Sequence, residues 1–119
     1  MAVNIIQDSD RSFIVRLVVK SSQEPLDLTG LTGEALRVKM DGEDETLVLD
    51  LDNGVSIISA IGGKIRVTLN EAQTLGLKPR DGQTMEIVIR RGAGPDFDTS
   101  VIQIPNAYNV APRVYEITT

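Results

Sequence analysis

Four separate stretches of the chain alternate apolar and polar residues with period two. Leu36, Val38 and Met40 alternate with Arg37 and Lys39; Leu47, Leu49 and Leu51 with Thr46, Val48 and Asp50. Ile65, Val67 and Leu69 alternate with Lys64, Arg66 and Thr68; Met85, Ile87 and Ile89 with Glu86, Val88 and Arg90. Successive side chains of a β-strand point to opposite faces, so each run reads as a strand with one buried face. Two further runs are more apolar. In Ser12 to Lys20, Phe13, Val15, Leu17 and Val19 form one face and Ile14, Arg16, Val18 and Lys20 a mixed one, as in a strand half-covered on its second side. Thr99 to Ile104 is short and either of its faces can point inward. Val3 to Ile6 reads as an edge strand or an arm.

Turn chemistry separates the runs. Asp41-Gly42 opens an acidic loop. Asn53-Gly54 is the strongest hairpin signal, since both central residues of a type I′ turn need positive φ. Gly62-Gly63 marks a second tight turn, Asp81-Gly82 starts another strand, and Gly92-Ala93-Gly94-Pro95 makes a looser connection. Turns spaced about 8–12 residues apart predict a sandwich or barrel. One helical signal interrupts: Asn70 can cap a turn over Glu71 to Leu75, and Gly76 stops it.

The prediction is an all-β sandwich of seven to nine strands with one short helix, spanning residues 1–105, with residues 1–10 as an N-terminal arm. Its expected core is Phe13, Val15, Leu17, Leu36, Val38, Leu47, Leu49, Ile57, Ile65, Val67, Leu69, Ile87 and Ile89. After Pro105 the pattern decays, and residues 106–119 read as a C-terminal tail. Apolar residues beyond the last strand must be covered. The tail either folds back on its own sandwich or lies along a neighbouring subunit as an added strand; the arm carries the same ambiguity. Candidate interface residues are therefore Val3, Ile5 and Ile6 in the arm, and Tyr108, Val110, Arg113, Val114, Tyr115 and Ile117 in the tail. On this reading, deleting residues 106–119 leaves a folded monomer that no longer assembles.

Composition bears on chemistry. The 119 residues include no Cys, His or Trp, and only two Phe and two Tyr. That leaves no Cys/His zinc site, no catalytic imidazole and no thiol nucleophile, and an enzyme is not expected. No disulfide is possible, so folding rests on packing. A net charge of −5 with few aromatics argues against a general nucleic-acid binder. Met1 to Asp10 lacks a basic segment followed by an apolar run, so no secretion signal is expected, and no apolar stretch approaches a membrane span.

The remaining constellations favour structure over chemistry. Asp41, Glu43, Asp44 and Glu45, with Asp50 and Asp52, invite a calcium reading, but the EF-hand register is absent and a solvated hairpin tip fits better. Asp8, Asp10, Asp27, Asp96 and Asp98 offer no singled-out pair for glycoside hydrolysis and flank turn residues. Gly62-Gly63-Lys64 lacks the rest of a phosphate loop. Arg90, Arg91 and Arg113 suggest a basic patch, or charges that protect an edge. No cofactor is expected.

Pro25-Leu26-Asp27-Leu28-Thr29-Gly30, with the strand Leu36-Arg37-Val38-Lys39-Met40 close behind, resembles the N-terminal domains of tailed-bacteriophage baseplate proteins, such as the upper baseplate proteins that hold receptor-binding proteins. So does Gly63-Lys64-Ile65-Arg66-Val67-Thr68-Leu69-Asn70, running into Gln73-Thr74-Leu75 and a strand at Met85. The resemblance covers residues 11–104. It implies an immunoglobulin-like antiparallel β-sandwich and a structural virion component of the tail, baseplate or neck, assembled in the host cytoplasm. It also implies homo-oligomerisation in a symmetric ring or fibre with other virion proteins; on composition, neither nucleic acid nor membrane is expected as partner. Alternatives are a head decoration or fibre-attachment protein, or a small carbohydrate- or calcium-binding module.

Overall fold

The structure, a computed structural model, describes residues 2–93 and 96–112. Among these residues it is an all-β sandwich of eight strands: β1 (Val3–Ile6), β2 (Arg11–Arg16), β3 (Leu36–Met40), β4 (Leu47–Asp50), β5 (Val55–Ser59), β6 (Lys64–Leu69), β7 (Gln83–Ala93) and β8 (Asp96–Ala111). A one-turn helix, α1 (Glu71–Leu75), links β6 to β7, and a 3-10 turn at Gly33–Ala35 precedes β3.

One sheet has the order β1-β8-β7-β3-β4 and the other β2-β6-β5. This connectivity is immunoglobulin-like: β2, β6 and β5 stand as strands B, E and D, β3, β7 and β8 as C, F and G, and β4 extends the five-stranded sheet beside β3 as in variable-type domains. The sandwich is not antiparallel throughout. β1 runs parallel to β8, with Val3 opposite Tyr108 and Ile6 opposite Ala111.

The four period-two runs form β3, β4, β6 and β7. Of the expected core, Phe13, Leu17, Leu36, Val38, Leu49, Ile65, Val67, Leu69, Ile87 and Ile89 are buried, and Val15, Leu47 and Ile57 pack half-buried against them. Ile5, Leu28, Leu31, Met40, Val55, Leu77, Met85, Tyr108 and Val110 complete the core. Burying one such large apolar side chain stabilises the fold by about 1.5–3 kcal/mol.

Three connections differ from expectation. The Ser12–Lys20 strand stops at Arg16, because Leu17 bonds to the Gly63 carbonyl and then accepts from Leu26 N–H, folding the chain back on itself. Asn53-Gly54 joins two strands that lie in different sheets, so it is no type I′ hairpin; only Gly54 of the pair has positive φ, at +92°. The reversal is instead a turn in which Asn53 N–H bonds the Asp50 carbonyl at 3.0 Å and the Asp50 carboxylate caps Asp52 N–H at 2.8 Å. The looser connection near Gly92 is a hairpin paired up to Ala93–Asp96, leaving only residues 94 and 95, outside the described residues, to join the strands.

The expected boundary at residue 105 does not exist, since β8 runs through it. Between the pairs Met85–Ile104 and Gln83–Tyr108, β8 carries two more residues than β7. Pro105 and Asn106, the latter at φ +52°, sit in this bulge, where a missing N–H and a left-handed backbone are tolerated. The strand then resumes and supplies the partner of β1.

The helix forms as the sequence predicts. The Asn70 side chain accepts from Gln73 N–H at 2.8 Å, and the Gln73 side chain accepts from Asn70 N–H at 2.9 Å. Buried Thr74 anchors the turn to the β1–β2 connection, donating to the Ser9 carbonyl at 2.8 Å and accepting from Ser9 N–H at 3.0 Å. Asn70→Ala removes one side of this reciprocal cap and should cost about 1 kcal/mol of unfolding free energy, measured by urea denaturation.

Candidate functional site

Most of the described sequence-predicted interface residues lie inside the protein. Parallel pairing with β8 places Val3 and Ile5 of β1 on the same inner face as Tyr108 and Val110. Ile5, Tyr108 and Val110 are buried, and Val3 is half-buried against them. The tail thus folds back on its own sandwich as far as Ala111, and the arm pairs with it; these residues belong to the core and not to a free surface. Ile6 points outward and is 46% exposed. Arg113, Val114, Tyr115 and Ile117 lie outside the described residues.

The Tyr108 hydroxyl accepts from Asp41 N–H at 2.9 Å, tying β8 to the end of β3. Burial pushes its phenol pKa up, with the backbone bond from Asp41 opposing. The Asp41 carboxylate faces Arg80 at 3.0 Å and Lys78 at 3.4 Å. The rest of the acidic loop, Glu43 to Thr46, is an exposed hairpin tip between β3 and β4. Beside it, an open groove of about 570 Å³ runs between the tip and α1, lined by Asp44, Glu45, Val48, Asn70, Gln73 and Gly76 among others.

The motif at residues 25–30 is a self-capped turn. The Asp27 carboxylate accepts from both the backbone N–H and the hydroxyl of Thr29, Leu28 is fully buried, and Gly30 takes φ +84°. Arg91 of β7 donates to the carbonyls of Asp27 and Thr29 and so staples the turn to the β7–β8 hairpin. Arg90, the next residue but one face away, projects from the opposite side of β7. The expected grouping of Arg90 with Arg91 is therefore split, and Arg113 lies outside the described residues.

The bonds from Thr29, its hydroxyl first and its N–H second, hold the Asp27 carboxyl below the ordinary carboxylate range, with Arg91 adding to the effect. A lowered folded-state value stabilises the fold above the ordinary carboxylate pKa, and that stability is lost as pH falls through the folded value. Carboxyl-detected NMR titration should place the Asp27 midpoint below that of exposed carboxylates, and Thr29→Val should raise it. An ordinary midpoint in the wild type would contradict this geometry.

Pairing between strands assembles a cluster that sequence reasoning missed. On the outer face of the three-stranded sheet, Ile14 stands opposite Arg66 and Arg16 opposite Lys64, with Ser56 of β5 on the other side of Arg66. Ile14 is 55% exposed and Ile58 44%. The outward positions of these strands (Ser12, Ile14, Arg16, Ser56, Ile58, Lys64, Arg66 and Thr68) include three cations and no carboxylate. Among the described residues, Arg16, Lys64 and Arg66 form no ion pair, whereas Arg37, Lys39, Lys78 and Arg80 each do. The signal was present as two runs with basic outward positions; the knowledge that those runs pair was not.

No protein-family model matches the chain, and no curated protein matches it.

Proposed function

We infer that the chain is a structural component of a tailed-bacteriophage particle, acting in the tail, baseplate or neck by docking to other virion proteins and to copies of itself. The observation that carries this reading is the pair of motifs at residues 25–30 and 63–70, with their resemblance to baseplate N-terminal domains, seated in an immunoglobulin-like sandwich. The β7–β8 hairpin adds support. It outruns β3, whose pairing to β7 ends at Leu36–Ile89, so its outer rungs from Arg90–Thr99 to Ala93–Asp96 pair only with each other. An isolated two-stranded ribbon is marginal in water, and a neighbour that covers it stabilises it. The Arg91 staple holds the base of this ribbon in one orientation, which lowers the ordering cost of docking.

The role is docking and no bond is made or broken. A stop codon at Gln7 in the encoding phage genome tests it. A non-suppressing host should yield incomplete particles by electron microscopy, and a suppressing host complete ones. Complete, infectious particles in both hosts would overturn the reading.

A further inference from the structure

The basic and apolar face of the three-stranded sheet is opposite in charge to another exposed surface of this same chain. Arg16, Lys64 and Arg66 flank Ile14, with Ile58 exposed on neighbouring β5, on outward strand positions that hold no carboxylate, in a chain whose net charge is −5. The complementary surface lies on the other sheet: Glu43, Asp44 and Glu45 at the exposed β3–β4 tip, beside Val48, which is 44% exposed, and the groove against α1. The sheet face combines exposed aliphatic area with positive charge, and the tip carries negative charge beside Val48, whose cross-strand neighbour Lys39 is already paired with Glu86. Because the two belong to different sheets, they are offered to another molecule.

We propose that copies of this chain associate head to tail, the Arg16–Lys64–Arg66 face of one copy receiving the Glu43–Glu45 tip of the next. This deepens the reading of the chain as an assembly component and rests on it. The contact is heterologous, since donor and acceptor surfaces differ. Such contacts close into a ring when the rotation between copies allows and otherwise propagate as a fibre. Opposite charge steers the encounter and fixes the register, while Ile14, Ile58 and Val48 supply area to be buried. A nucleic acid fits less well. Its phosphates would meet an attractive face on a molecule whose remainder is strongly acidic and repels polyanions.

Sedimentation velocity on the full chain tests this with two variants, Lys64→Glu/Arg66→Glu and Glu43→Lys/Asp44→Lys/Glu45→Lys. All the substituted side chains are exposed, and unchanged thermal melts verify that both variants fold. The wild type should self-associate in low salt, with affinity falling about tenfold or more by about 0.5 M salt. Each variant alone should be monomeric. Mixed together, they retain one intact surface of each kind, with opposite charges introduced on the others; the mixture should form complexes that neither variant forms alone. A wild type that stays monomeric at every concentration overturns the interface and leaves the stop-codon result to decide the virion role. Self-association that survives in both variants likewise overturns the interface while keeping assembly. A labelled DNA duplex bound by the wild type and released by Lys64→Glu/Arg66→Glu, without loss of self-association, assigns the face to polyanions and overturns the proposal.

Discussion

Ending the chain before Asn106 is expected to abolish folding. The truncated chain loses Tyr108 and Val110 from the core and the whole partner strand of β1, so Ile5 loses its cover as well. Circular dichroism of the truncation checks this, and a folded monomer from it would contradict the fold. Point substitutions resolve the same contribution. Tyr108→Ala should cost about 3–5 kcal/mol, the range for truncating a buried aromatic. Tyr108→Phe removes only the hydroxyl that accepts from Asp41 N–H and should cost about 1 kcal/mol.

Gly63→Ala is expected to be strongly destabilising, by clash and by backbone strain together. Gly63 has φ +65° at the turn between β5 and β6, and a Cβ there would lie 2.5 Å from the Leu17 carbonyl oxygen and 2.9 Å from that of Leu26. Those are backbone atoms held by strand-like pairing: Leu17 N–H bonds Gly63 O at 2.8 Å and Leu26 N–H bonds Leu17 O at 2.9 Å. Relief therefore means breaking the point where three segments meet. The left-handed strain alone costs about 1–2 kcal/mol, and with the clash the loss should exceed about 3 kcal/mol. Gly30→Ala is the control. Gly30 has φ +84° but nothing within 4 Å of a new Cβ, so the strain alone should appear. Urea midpoints for the two variants separate sterics from backbone preference; equal losses would contradict the close approach at Gly63.

The strands were legible in the sequence because alternation reports one buried face, and Asn70 was legible because a cap is a local device. What failed were features set by distant segments. Asn53-Gly54 looks like a hairpin turn, but the local rule is silent on whether β4 and β5 share a sheet; the Asp50 carboxylate and the change of sheet decided otherwise. Pro105 and Asn106 look like the end of a strand, yet a bulge absorbs both, and the inward alternation of Tyr108 and Val110 resumes beyond it. For that reason four of the candidate interface residues, Val3, Ile5, Tyr108 and Val110, find their cover in the β1–β8 pairing and the core. The Arg91 staple and the Arg16–Lys64–Arg66 face were invisible because each depends on which strand lies beside which. Outward residues of one strand are ordinary; only the register puts three cations together without an anion.

Whether this chain is a building block of a phage particle is measured most directly by absolute quantification of it in density-gradient-purified particles, by mass spectrometry against labelled peptides. The expected result is a fixed copy number per particle that matches a symmetric assembly. Absence from purified particles, in a lysate where the free chain is abundant, would contradict the virion role.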